Sequence, residues 1–166
     1  GALTRAWEKH GLHDVLPVTA GYRLQTADGV LLEVLHPQAP PDADTEPEAA
    51  GMVIRVSYGS ASFLITPDLD QEAEQEMLNA GWYIGSTVLE LPSHGSSNAN
   101  PDFFLQAVHP QTAVTAVGTG NRSGLPDPEV QERLQAMSNI TLYRTDQHGT
   151  VEMVTDGQTL WIYTDD

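Results

Sequence analysis

Between Ser62 and Tyr143 the chain alternates β-branched or aromatic runs with helix-like stretches, and Pro or Gly stands at most junctions. Such alternation restricts the architecture to a sheet layered with helices. Ser62 to Thr66 reads as a strand that ends at Pro67, which has no N–H to give a sheet ladder. Asp68-Leu-Asp-Gln-Glu-Ala-Glu-Gln-Glu-Met-Leu follows and closes at Asn79-Ala80-Gly81. Acids in its first turn and Gly after its last predict an N-capped helix. Thr87 to Leu91 is a strand running into a loop, Pro92-Ser-His-Gly-Ser-Ser-Asn. Asn100-Pro101 predicts a helix start with Asn as cap and Pro in the first turn. Phe104 and Val108 lie four apart on one face of that helix. Gln111 to Val117 is a strand that ends at Gly118-Thr-Gly-Asn-Arg-Ser-Gly. Asp127-Pro128 then opens another capped helix, with Val130, Leu134 and Met137 recurring at helical spacing.

The flanks read differently. Thr4 to His10 is expected to form a short helix stopped by Gly11. Tyr22 to Thr26 and Val30 to Leu35 flank Ala27-Asp28-Gly29 as a hairpin, and Met52 to Tyr58 pairs with Ser62 to Thr66 around Gly59-Ser60. Ile140 to Tyr143, Thr150 to Val154 and Thr159 to Tyr163 are strands, the last two joined through Asp156-Gly157, a pairing suited to tight hairpin turns. Residues 38–50 carry three Pro and four acids without a large apolar side chain, so this is an acidic, solvated loop. There is no internal repeat and no clear linker. Residues 1–166 are expected to form a single α/β (α+β) domain.

Seven Lys plus Arg face 23 Asp plus Glu, a formal charge of −16. That excludes a free-standing electrostatic DNA binder, which neutralises phosphates with a basic face, and it disfavours docking on an anionic membrane. A metal-bridged contact with a polyanion stays open, because a bound cation reverses the local field. There is no Cys, so disulfides, thiolate metal sites and Cys nucleophiles are excluded. No apolar run reaches the roughly 18 residues that span a bilayer, so no membrane insertion by this stretch is expected. No signal peptide is legible. The opening Gly1-Ala2, without an initiator Met, reads as the scar of a fragment whose signals would lie upstream.

Two strand ends carry the candidate chemistry. Thr66-Pro67-Asp68 delivers a carboxylate where ligands usually sit in layered α/β folds, and it can hold a hard divalent cation there. The alternative is that Asp68 or Asp70 caps the following helix. In Leu91-Pro-Ser-His94-Gly-Ser96-Ser97, imidazole is a common metal ligand and general base, and Gly lets a backbone approach phosphate closely. The alternative is a turn in which His94 bonds only the backbone. A third loop, Gly118 to Gly124, holds Asn121 and Arg122 and resembles a phosphate cradle. It lacks the Lys and spacing of a P-loop, and Arg122 suits a structural ion pair as well as an anion. His10 and His13 straddle Gly11, which argues against a shared metal there. No Ser-His-Asp triad follows from spacing.

At these same residues the sequence resembles the metallo-β-lactamase-like domain of ComEC-type DNA-internalisation competence proteins. The likeness runs through Phe-Leu-Ile-Thr-Pro-Asp-Leu, Glu-Gln-Glu-Met-Leu and Val-Leu-Glu-Leu-Pro-Ser-His-Gly-Ser. It continues through Phe103-Phe-Leu-Gln-Ala-Val-His-Pro, Val117-Gly118 with Asn121-Arg122, and Tyr143-Arg-Thr-Asp-Gln-His-Gly-Thr-Val-Glu, covering roughly residues 30 to 163. The resemblance implies the C-terminal part of an αββα sandwich with a metal site at one sheet edge. It implies a membrane-embedded parent chain that takes up DNA, with other domains of that parent as partners and DNA reached through it. The soluble domain is expected at the extracytoplasmic face.

The resemblance also implies metal-dependent nuclease ancestry, with two metals clamping phosphate and activating water. Asp68 and His94 would be the surviving catalytic and metal-ligating residues, with Ser96, Asn121 and Arg122 as phosphate contacts. Several family positions differ. The His-x-His-x-Asp-His motif lies N-terminal to the matched region and is absent here. Gly-Asp is Pro67-Asp68, His-His-Gly-Ser is Ser93-His94-Gly95-Ser96, and His-Pro-His is Leu125-Pro126-Asp127. Ser and Leu cannot replace an imidazole ligand. The leading expectation is therefore a degenerate site, with no cofactor in this stretch alone. The rivals are an active nuclease or phosphodiesterase, with Mn²⁺ or Zn²⁺ in a site completed by an upstream histidine motif, and an acidic non-catalytic binding module.

Overall fold

The structure is a computed structural model that describes residues 17–41, 45, 46 and 50–165. The helix expected over Thr4–His10, His10 and His13, and part of the 38–50 loop lie outside the described residues.

The described chain runs β1 (Arg23–Gln25), β2 (Leu31–His36), β3 (Val53–Tyr58), β4 (Ala61–Ile65), α1 (Gln71–Asn79), β5 (Val88–Glu90), α2 (Asp102–Val108), β6 (Thr112–Thr115), α3 (Pro128–Ala136), β7 (Thr141–Arg144), α4 (Thr145–His148), β8 (Val151–Thr155) and β9 (Leu160–Thr164). Strands β1 to β7 form one mixed sheet in sequence order. The first four pair antiparallel through short turns. From β4 to β7 the pairing is parallel, because α1, α2 and α3 supply the crossovers that parallel strands require. This is the mixed α/β architecture expected from the alternating pattern.

Register places Leu64 beside Leu89, Leu89 beside Ala113 and Ala113 beside Leu142. That row packs under the helices, which bury Met77, Phe104, Leu105, Val108, Val130 and Leu134 against it. Each large side chain removed from water in this way contributes about 1.5–3 kcal/mol before entropy is counted. The predicted pairs Phe104/Val108 and Val130/Leu134 are thus core contacts.

Strands β8 and β9 form a separate antiparallel pair. It is fastened to the β3–β4 turn, where Ser60 N–H donates to Gly157 O at 2.7 Å. Gly59, at φ +58°, admits this contact because any Cβ there would lie 2.0 Å from Gly157 O. Val154, Trp161 and Tyr163 stay exposed on the pair's other face.

Three local readings need correction. Asn100 does not cap α2: the cap position is Pro101, without a side-chain bond. Its amide instead donates to Pro92 O at 3.0 Å and Ser96 O at 3.1 Å. Asp127 stands at the N-cap of α3 but makes no capping bond, because its carboxylate accepts the Ser97 N–H at 2.7 Å. In each case another partner outcompetes the helix N–H groups: carbonyls earlier in its own loop for Asn100, and an N–H from the loop after β5 for Asp127. The short helix α4 was not foreseen. Its Asp146 pairs with Arg144 at the end of β7 at 2.8 Å, and its His148 Nδ1 lies 3.0 Å from Arg144 O.

Candidate functional site

Asp68, His94 and Asn121 follow β4, β5 and β6, so the parallel run brings three loops to one edge of the sheet. Strand ends are tied first: Thr66 Oγ1 donates to Glu90 O at 2.6 Å and Leu91 N–H to Val114 O at 2.8 Å. The helix cap question then resolves in favour of Asp70, whose Oδ1 accepts the Ala73 N–H at 2.9 Å. Asp68 is left with its side chain 69 % exposed and its Oδ1 3.7 Å from His94 Nε2. The two leading candidates therefore share one place, within the reach of a single small ligand.

The His94 turn is unusual in its backbone. Ser93, His94 and Gly95 all take positive φ, at 49°, 55° and 81°. Two consecutive non-Gly residues in this region are costly, on the order of 1–3 kcal/mol each, unless surroundings hold them. They are held. Ser93 Oγ donates to Leu69 O at 2.6 Å, and Ser93 N–H reaches Pro67 O at 3.4 Å. Gly95 packs on Pro126, where a Cβ would come within 2.6 Å of Pro126 Cβ, and its carbonyl accepts the Asp127 N–H at 2.9 Å. Thus the turn after β5 is stitched to the loops after β4 and β6.

A cleft of about 230 Å³ opens between Asp68, Glu90, Ser93, His94 and Ala116. A second, of about 200 Å³, shares His94 and Ala116 and continues past Gly118 and Asn121. Glu90, which spacing did not single out, brings a further carboxyl to the first cleft. Burial pushes its pKa up, against the pull of its hydrogen bonding at Thr66 and of His94. The available signal was a lone acid in the apolar run Val-Leu-Glu-Leu, just before a strand end. Two acids and an imidazole make the cleft attractive to cations. Even so, among the described residues no group of three or more His, Asp or Glu could hold a metal ion.

The remaining candidates separate. Asn121 exchanges both amide atoms with Leu125, accepting its N–H at 3.0 Å and donating to its O at 3.1 Å. Its polar atoms therefore close the turn. Ser96 Oγ accepts the Asn98 N–H at 3.3 Å and lines neither cleft. Arg122 is exposed. A larger cleft, about 350 Å³, lies at the opposite ends of the parallel strands, lined among others by Tyr83, His109 and Arg55. Its guanidinium is already engaged by Gly85 O at 2.9 Å and Glu33 at 3.3 Å.

No protein-family model matches the chain. Among curated proteins it is 36 % identical over 135 residues to ComE operon protein 3 of Bacillus subtilis (strain 168), which is 81 % of this chain and 17 % of that protein. It is 36 % identical over 126 residues to Competence protein ComA of Neisseria gonorrhoeae, covering 75 % of the chain and 18 % of the relative. The chain belongs to the family of ComEC-type competence proteins. A third relative, the uncharacterized protein YcaI of Escherichia coli (strain K12), is 33 % identical over 84 residues, half of this chain and 11 % of that protein. The ComEC-type segment described here thus spans less than a fifth of the length of the curated relatives it matches. No helix among its described residues is long and apolar enough to cross a membrane.

Proposed function

We propose that this chain is a metallo-β-lactamase-like domain of a DNA-uptake protein whose metal-nuclease site has decayed. The observation that carries the reading is Ser93. It stands where the family places the first imidazole of His-His-Gly-Ser, and its hydroxyl is committed to Leu69 O at 2.6 Å. Asp127, at the last His of the family's His-Pro-His, likewise holds the Ser97 N–H. Residues at former ligand positions now brace the loops. Asp68 and His94 provide two donors where a catalytic metal generally needs three from protein, so the residues present do not by themselves fit a hydrolytic metal. The acidic surface agrees, since DNA is repelled unless a cation or another domain intervenes. In this reading the domain lies at the extracytoplasmic face of a membrane-embedded parent, and contacts with other domains of that parent are its role.

A second reading is favoured by one distance. Asp68 and His94 are 3.7 Å apart, so an upstream histidine cluster could complete an active nuclease around them with Mn²⁺ or Zn²⁺. Calorimetric titration with Mn²⁺ and a cleavage assay on single-stranded DNA decide between the two, using this chain and one extended upstream. The decayed site predicts neither stoichiometric metal nor cleavage above background in either protein. Stoichiometric metal, with cleavage abolished by Asp68→Ala and by His94→Ala, would establish the active nuclease instead.

A further inference from the structure

We propose that Glu74, Asn100 and Arg133 form a buried clamp that fixes the left-handed Ser93–Gly95 turn and so sets His94 beside Asp68. Asn100 is the hub. It is fully buried and takes φ +61°. Its side-chain amide ties the two ends of the turn together, donating to Pro92 O at 3.0 Å and Ser96 O at 3.1 Å. Its main chain is gripped from both sides. Glu74 Oε1 on α1 accepts its N–H at 2.9 Å, and Arg133 Nη1 on α3 donates to its carbonyl at 3.0 Å.

Arg133 is itself braced by Glu129, four residues earlier on α3, and by Asp102 at 3.8 Å on α2. Two helices therefore grip one residue of the loop that carries His94, and a third braces the grip through Asp102. A fully buried carboxyl in a helix is an expensive choice if it only fills space. Here its position matches a need, because an unsatisfied buried N–H at Asn100 is costly. The geometry also explains why Asn stands at this point: it tolerates φ above zero better than most residues and supplies two donors, one to the buried Pro92 carbonyl and one to the half-buried Ser96 carbonyl. Gly would keep the backbone and lose both ties. The three are positioning residues, acting on the cleft only through the turn. Their consequence for a ligand there rests on the reading above, whereas the clamp itself needs no metal.

Amide hydrogen exchange by NMR tests this in the 166-residue chain. Asn100→Gly is expected to speed exchange at Ser96 and Ala99 by about tenfold or more, while Leu89, Ala113 and Phe104 change by less than about threefold. The nuclear Overhauser contact between the His94 ring and the Asp68 β-protons should vanish in the same variant. Arg133→Gln removes a single tie and should give the same local pattern at about threefold. Glu74→Gln keeps the acceptor for Asn100 N–H and should leave loop exchange at the wild-type rate. Unchanged exchange at Ser96 and Ala99 in Asn100→Gly and Arg133→Gln would overturn the clamp. So would an equal rise in loop and core alike, which is what a merely structural role produces. Mn²⁺ added alone separates this from the functional reading. Broadening of His94 resonances bears on the metal, and the exchange pattern bears on the clamp whether or not broadening occurs.

Discussion

The two ends of the parallel strands are built on opposite rules. At the β-strand starts, Arg55 is buried to 13 % exposure and held by Glu33, Gly85 O and the Tyr83 ring. The side chains there satisfy one another. At the strand ends the bonds run instead through loop backbone and buried hubs, while Asp68 and His94 remain largely exposed, at 69 % and 54 %. A rigid frame with free polar tips is what a ligand-facing edge requires, and a closed set of side-chain pairs is what a structural corner requires. The larger cleft accordingly lies at the structural end, so volume and exposed polar groups point to opposite rims.

The largest test of this contrast concerns the frame. Glu74 is fully buried and its pKa is pushed up from 4.5 to about 8, first by desolvation and secondarily by Asp70, against the pull of its hydrogen bonding at Asn100 and of Arg133. Below pH 4.5 both folded and unfolded chains hold the proton, so Glu74 costs nothing. Between 4.5 and about 8 the unfolded chain ionises while the folded one does not, and stability falls as pH rises, by up to ~1.4 kcal/mol per unit. Above about 8 both are ionised and the loss levels off. Glu74→Gln removes this slope. Denaturant unfolding of both proteins at pH 5 and pH 8 should show the variant gaining several kcal/mol relative to wild type at the higher pH. The acids with depressed pKa, such as Asp127 under the Ser97 N–H, act in the opposite direction at lower pH and cancel in the difference.

Within the site loops, two glycines sharpen the same point. Gly95→Ala meets Pro126 at 2.6 Å and must adopt φ +81°, so a loss of about 2–4 kcal/mol is expected. Gly118→Ala meets no atom within 4 Å and should stay within about 0.5 kcal/mol. Thermal unfolding of the two variants at one pH checks both. A large effect at Gly118 would show that the frame extends further than the stitched turn.

How much of this could be read beforehand follows from the range of each interaction. The hairpins, the strands and the apolar faces of α2 and α3 were legible because period and turn chemistry are local. So was the placing of Asp68 and His94 at strand ends. Asn-Pro and Asp-Pro are true cap signals in isolation; the expected cap position holds for Asp127, though without its side-chain bond, and fails for Asn100, where Pro101 takes it. The Asn100 amide is taken by Pro92 and Ser96, earlier in its own loop, and the Asp127 carboxylate by Ser97 from the loop after β5, thirty residues away, which no local window reveals. Glu74 was invisible for a different reason. It sits between Glu72 and Glu76 in a helix whose acids read as first-turn partners of the helix N-terminus, and only the approach of Asn100 from outside the helix marks it as buried.

The smallest effects come from comparing the two rims directly. Arg55→Met removes the bond to Gly85 O, the pair with Glu33 and the stacking on Tyr83, so about 1–2 kcal/mol of stability should be lost. The loss stays below that of a fully orphaned buried charge, because Glu33 keeps Arg23 at 2.9 Å. Asp68→Asn and His94→Gln, by contrast, remove an exposed contact at 3.7 Å, and each should move stability by less than about 0.5 kcal/mol. Chemical denaturation of the three variants in parallel measures the ordering, and raising the salt should shrink the Asp68 and His94 effects further. Should Asp68→Asn cost as much as Arg55→Met, its carboxylate is part of the frame and the strand-end cleft is a second structural corner. A stability-neutral Asp68 and His94, held in place by an expensive turn, instead describe an edge whose geometry is maintained for something outside the fold.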